Sequence, residues 1–421
     1  MCAHINSIVE AGVPISVWGL AIAQAFLTTG NILLVAVSAL IGKQLASHPA
    51  LITFPVAMQF LGLIMATLPA AHLMHKMGRK VGFILGNCIG LVGTWVALQG
   101  LQANSLMHFA CGTFLIGMAI GTGQQYRFAA LDVCSVEQRP RAISMVMAGG
   151  VLAAILGPNL AIWSRQWYAG NAFVGAFYGL FVIYVLALLL ISSLPLAAAL
   201  KTTRQQVARR YAELFKQPLL LAAMASGAIG YAVMVLLMTA TPIAMQHDDF
   251  PFSNIAWVIQ WHVLGMYVPS FFTGRLIRRY SSRRVILWGC AVLALCVLVN
   301  VLGNSYWHYF FGLLLLGVGW NFTFIGATHL LTFTYEPAEQ GKVQGINEFM
   351  VFSAAALGSL LAGVGVDKLG WAWLKIASLP PIIIVAWWIS RLADQRARVS
   401  VKNLSVVAQC CWRASLSDEG V

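Results

Sequence analysis

Twelve stretches of mostly apolar residues follow one another along the chain, separated by shorter polar segments. They run approximately over residues 15–41, 50–74, 80–101, 106–130, 142–164, 170–194, 219–245, 252–276, 284–303, 306–334, 343–366 and 370–391. A helix of about 20 apolar residues covers the hydrocarbon core of a bilayer with its backbone polar groups bonded internally. The pattern therefore predicts an all-α membrane protein of twelve transmembrane helices. The first stretch is too long for the apolar part of a cleavable signal and reads as a spanning helix.

The chain turns polar between Pro195 and Pro218, where TTRQQVARRYAELFKQ reads as a short amphipathic helix. Six stretches precede it and six follow. The expected organisation is a bundle over 1–194, a cytoplasmic linker over 195–218, a second bundle over 219–391 and a cytoplasmic tail over 392–421. The halves echo each other. Each carries a basic loop between its second and third stretches, and each has a glycine-rich fourth stretch that ends near an acid. This predicts two pseudo-symmetric six-helix bundles, with a ligand site where the repeats meet.

Composition supports a lipid solvent: 60% of residues are hydrophobic and 9% charged, against roughly 25% charged in soluble domains. The net charge of +13 does not point to nucleic acid, because the cations cluster in short loops rather than along one face. All Lys and Arg residues but Lys43, Arg165, Lys368 and Lys375 fall on one side of the expected membrane. That bias places both termini in the cytoplasm. The eight cysteines are scattered, without metal-ligand or disulfide spacing. No phosphate-binding Gly-x-x-x-x-Gly-Lys-Ser/Thr loop is present, and no nucleophile, base or carboxylate pair converges as an enzyme would require. No metal, cofactor or catalytic residue is expected.

The loop after the second stretch reads from Ala71 through His75, Lys76 and Gly78 to Arg79 and Lys80. It resembles the loop signature of the major facilitator superfamily: Gly, three residues, Asp, Arg, any residue, Gly, Arg, Arg. Ala71 and His75 stand where the signature has Gly and Asp. Gly274 through Arg278, Arg279, Ser281, Arg283 and Arg284 form a looser copy in the second half. The resemblance covers essentially the whole chain to Arg391. It implies a secondary transporter that moves a small solute by alternating access, coupled to protons, in the bacterial inner membrane. The expected partners are that small-molecule substrate, the bilayer and protons, with a monomeric chain. The resemblance also implies a cytoplasmic latch. Lys76, Gly78, Arg79 and Lys80 would face Asp132 and Arg139 in the first half. In the second half Arg278 and Lys342 would face Glu336 or Glu339. The strings around Tyr126 to Asp132 and Trp261 to Gly274 look like a bacterial subgroup of the superfamily. One implied cargo is a vitamin such as riboflavin, stacked on Trp320, Tyr231 and Trp261. The run from Gly149 to Gly157, Pro158 and Asn159 resembles the Gly-Pro signature of the superfamily's antiporters, which makes efflux of drugs or toxic amphipathic compounds an alternative. Thr113 stands where the drug antiporters carry an arginine, which weakens it.

Polar groups inside apolar stretches mark candidate sites, because a membrane core penalises them unless they face a cavity. Gln24 and Asn31 share one face of the first stretch. Tyr231 lies in the seventh, Gln260 and His262 in the eighth, and Trp320 and Asn321 in the tenth. These seven are the expected substrate-binding residues. Gln124, Gln125, Tyr126 and Arg127 form a polar cluster in the fourth. His262 and Glu348 are the proton-coupling candidates, since each places a titratable group within an apolar helix.

Overall fold

The computed structural model describes residues 14–392 apart from 136–137, 165–166, 169–172, 197–208, 337–338 and 369. The tail and most of the linker lie outside the described residues. So do Glu137 and the side chain of Arg139. Of the amphipathic linker helix, the described part is one turn, Tyr211–Leu214.

Among the described residues, eleven helices are long and apolar enough to cross a membrane, and one bent pair makes a twelfth. In order, the spans are Ile15–Leu45, Pro49–Met77, Arg79–Gln102, Leu106–Asp132, Arg139–Ser164, Val174–Ser193, Pro218–His247, the bent pair, Ser282–Val301, Tyr306–Leu331, Gln340–Lys368 and Gly370–Arg391. Most are apolar on all faces, as expected where lipid replaces water around the bundle. Burial then depends on position. The first span is 89% buried over its apolar window and the twelfth 33%. The first therefore runs through the centre, and the twelfth faces outward.

The eighth stretch, expected to be continuous, is broken into Phe252–Tyr267 and Ser270–Tyr280 with a bend of 40°. Pro269 lies in the break. Its ring nitrogen has no hydrogen to give the carbonyl four residues earlier, so the helix bends there. The fourth span is likewise two helices, Leu106–Gly123 and Tyr126–Asp132. The twelfth divides at Ser378, where a second helix starts as Leu379–Arg391 with a proline in its first turn.

The two bundles repeat each other in detail. Gly62 lets the second span approach the Phe114 carbonyl of the fourth, and Gly265 does the same for Leu314 of the tenth. Small residues at such crossings let backbones meet. The turn between the second and third spans places Gly78 at φ 89° and ψ 156°, and the matching turn places Ser281 at φ 87° and ψ 154°. Ser105 bonds His108 at 2.9 Å at the start of the fourth span, and Ser305 bonds His308 at 2.7 Å at the start of the tenth.

Across the middle, the second span packs on the eleventh, the fifth on the eighth and the first on the seventh. Asn159 of the fifth span donates to the Gln260 side-chain carbonyl of the eighth at 2.9 Å. Phe173 and Phe252 meet edge to face at 5.8 Å.

Candidate substrate site

A cavity of about 110 Å³ lies between the two bundles. Its two sides differ in chemistry. The first six spans contribute amides and hydroxyls: Gln24, Thr28 and Asn31 from the first span and Gln124 from the fourth. The last six contribute mainly aromatic rings, Tyr231, Tyr267, Trp320, Phe324 and Phe352, together with Asn347 and Glu348 of the eleventh span. Phe60 of the second span joins them.

Tyr231 is the centre of the aromatic group. Its ring meets Trp320, Phe324, Phe352 and Phe60 edge to face, with centroids at 5.5, 5.6, 5.7 and 6.5 Å. Trp320 and Phe324, one helical turn apart, stack at 5.0 Å with their planes 10° apart. Such contacts contribute roughly 0.5–1.5 kcal/mol each beyond buried area, so the wall is held rigid before any ligand arrives. A second cavity of about 60 Å³ continues past Asn31, Phe60, Tyr231, Tyr267 and Trp320 into an apolar space lined by Met234, Met238 and Val263.

The polar wall is also held in place. Gln24 donates to the Thr28 hydroxyl at 2.9 Å, and Gln59 of the second span donates to the Asn31 side-chain carbonyl at 2.5 Å. Arg127 of the fourth span donates through Nη2 to Oε1 of Glu348, on the eleventh span, at 2.9 Å. Both line the cavity. This ion pair joins the two bundles.

Of the seven expected binding residues, Gln24, Asn31, Tyr231 and Trp320 line the cavity, and Gln260, His262 and Asn321 do not. Geometry gives the reason. Asn321 is fully buried and donates to the Met266 carbonyl at 2.6 Å and the Ser270 hydroxyl at 2.7 Å, while it accepts from Thr273 at 2.7 Å. It ties together the two pieces of the broken eighth span. Gln260 is held by Asn159 in the contact between bundles. His262 is fully buried, and its Nδ1 donates to the Leu313 carbonyl at 2.8 Å, joining the eighth and tenth spans. Glu348 lines the cavity.

The sequence points to no partner for Arg127, and nothing in it sets apart Thr28, Asn347, Phe60, Phe324, Phe352 and Tyr267, which also line the cavity. Thr28, Phe324 and Phe352 each lie one turn from a candidate on the same helix, whereas Phe60 stands on a span that offers no candidate binding residue. Thr113 is buried and bonds the carbonyls of Pro55 and Ala110 at 2.8 and 2.9 Å, a neutral tie between the second and fourth spans.

Outside the apolar zone, Arg79 and Asp132 form an ion pair through Nε and Oδ2. Lys76 is exposed, Lys80 half-buried and Arg278 exposed. The second-half pair differs from expectation. Of the two acids expected there, Glu339 is the one joined to a cation, and the cation is Arg209, not Arg278. Arg209 Nε and Nη2 each donate to the Glu339 carboxylate at 2.6 Å, and its backbone N–H donates at 2.9 Å. Lys342 donates to the Arg209 carbonyl at 2.5 Å. Glu336 instead contributes its backbone N–H to Glu339 at 3.0 Å. Arg209 lies within the linker, just before the turn Tyr211–Leu214, and reaches the start of the eleventh span, whereas Arg278 is carried on the second piece of the eighth. The Arg209 guanidinium, with the backbone N–H groups of Glu336 and Arg209, holds the Glu339 carboxyl down to about 2.

Three comparisons bear on this arrangement. The family model described as Major Facilitator Superfamily matches residues 20–259 and 229–417. A riboflavin transporter of Brucella anthropi, RfnT, is 37% identical over 368 residues, covering 87% of this chain and 92% of the relative. An uncharacterized MFS-type transporter of Bacillus subtilis, YddS, is 25% identical over 86% of this chain and 88% of its own. Among solved structures, the nucleoside transporter NupG superposes with a TM-score of 0.69 at 12% identity, covering 90% of this chain and 98% of that one. That last likeness concerns the fold.

Proposed function

The chain belongs to the major facilitator superfamily of membrane transporters, and from that premise we propose that it takes up riboflavin or a similarly flat, uncharged vitamin by proton-coupled alternating access. The observation that carries the proposal is the two-sided cavity, with rings gathered around Tyr231 on one side and the amides of Gln24, Asn31 and Gln124 on the other. An isoalloxazine ring is planar and offers both faces to aromatic contact. Its ribityl hydroxyls are donors and acceptors that side-chain amides can match. The apolar continuation past Met234 and Met238 suits the dimethylbenzene end of the ring. The likeness to the riboflavin transporter of Brucella anthropi over most of both chains supports the same cargo.

Glu348 is the proposed coupling group. Protonation of its carboxyl removes the charge that Arg127 meets and loosens a contact between bundles. A ligand or proton shifts a two-state carrier only through a contact that differs between its states, and this pair is such a contact. His262 is proposed as a positioning residue that sets the eighth span against the tenth. The Arg79–Asp132 pair is proposed as the first-half cytoplasmic latch. The charge bias of the loops supports a bacterial inner-membrane carrier with both termini in the cytoplasm.

Proteoliposomes holding the purified chain provide the test. Labelled riboflavin should accumulate when the outside is made acidic, and an uncoupler should abolish the accumulation. Uptake no faster than in empty vesicles would reject the cargo. Uptake indifferent to the pH gradient would reject the coupling alone.

A further inference from the structure

The cavity wall carries one cation and one anion, Arg127 and Glu348, and their contact leaves it with no net charge. The pairing uses Nη2 of the guanidinium, while Nε is buried and has no hydrogen-bond partner. Trp320 presents a second buried donor without a partner, its indole Nε1. Unpartnered donors of this kind cost roughly 1–3 kcal/mol each, and a ligand that brings acceptors recovers that cost. Both orphans are donors on side chains that line the cavity, and both lie beneath its surface, so the ligand edge that uncovers and meets them carries carbonyl oxygens or ring nitrogens.

Building on the flavin reading, we propose that Arg127 Nε and Trp320 Nε1 bond to the carbonyl oxygens or ring nitrogens of the uncharged heterocycle, and that Glu348 excludes the phosphorylated form of the same ligand by neutralising Arg127. A neutral ring can enter without disturbing the ion pair. A phosphate monoester brings a second anion to a guanidinium that already has one, in a space walled by aromatic rings. Placing like charges together there is costly because little water screens them. Without the carboxylate, the guanidinium becomes a free cation and the preference weakens or reverses. The same acid then has two consequences, selection by charge and sensitivity to protons.

The test uses the full chain in lipid nanodiscs, titrated with riboflavin and with riboflavin 5′-phosphate, with binding read as quenching of flavin fluorescence. The wild type should bind riboflavin at least about tenfold more tightly than the phosphate. Glu348→Gln should reduce that ratio by about tenfold or more, and the double variant R127Q/E348Q should restore the preference for the neutral form. Trp320→Phe keeps the stacking surface and removes the donor. It should weaken riboflavin several-fold, roughly the loss of one hydrogen bond, without changing the ratio. A wild-type ratio below about threefold overturns the proposal even if the variants fail to fold. An unchanged ratio in E348Q overturns it as well, and both results leave the flavin reading intact. Binding of neither flavin by the wild type overturns the flavin reading and this proposal together.

Discussion

Gln59 and His262 occupy matching positions in the two bundles. A methyl group on Gly117 would collide with the backbone carbonyl of Gln59, and one on Gly317 would collide with the backbone carbonyl of His262. Each glycine lies where the fourth span of its bundle crosses the second. The side chains then diverge in use. Gln59 reaches Asn31 at the cavity wall, and His262 is tied to Leu313 in the protein interior.

Gly117→Ala and Gly317→Ala should each destabilise the protein by about 1–3 kcal/mol, because backbone cannot yield as a flexible side chain can. Thermal unfolding of the purified variants in one detergent checks this. His262→Asn, which can still donate to the Leu313 carbonyl, should retain most transport. His262→Leu should lose stability and transport together. A His262→Leu variant with wild-type stability and no uptake would point to proton handling instead.

The turns at Gly78 and Ser281 share one left-handed conformation, and only one of them is glycine. Serine there is strained, and its hydroxyl is buried without a partner. Ser281→Gly should therefore raise stability by about 1 kcal/mol, and Gly78→Ala should lower it by at least about 1 kcal/mol. Melting temperatures that move in the same direction for both variants would contradict this account.

The Arg79–Asp132 pair offers a charge-swap test. Asp132→Lys should slow uptake several-fold, consistent with a contact of about 1–2 kcal/mol in a two-state equilibrium. Exchanging both charges, Arg79→Asp with Asp132→Lys, should recover part of the rate. Uptake by the single variant equal to wild type would leave the pair without a role in gating.

The Arg209–Glu339 contact should show its own pH dependence. The carboxyl is held at about 2, below its ordinary value of 4.5. Its stabilisation is fully present above about 4.5 and is lost as the pH falls through about 2. The wild type should thus melt above Arg209→Ala by a constant margin from neutral pH to about pH 5, and the margin should narrow in stronger acid. A margin that grows on acidification would contradict the assigned charge pair.

Much of the site was legible along the chain because the membrane makes polar residues conspicuous. Gln24, Asn31, Tyr231, Trp320 and Glu348 stand out in apolar helices, and all five line the cavity. His262, Gln260 and Asn321 stand out by the same rule but do not line the cavity. A buried polar side chain can be satisfied by a neighbouring helix as well as by a ligand, and hydropathy does not distinguish the two. Asn321 illustrates this: its amide answers a break in the eighth span, and that break follows from Pro269.

The order of apolar stretches and basic loops determined, without any structure, that the chain is a twelve-span bundle in two related halves. Those properties are local, since they depend on how long an apolar run is and where the charges interrupt it. Which residues meet was decided only in three dimensions. Arg127 finds Glu348 across 221 positions, and Glu339 pairs with Arg209 rather than with Arg278. Helices that are apolar on every face carry little record of their rotation in the sequence, so partners on separate spans are fixed by how the bundles pack.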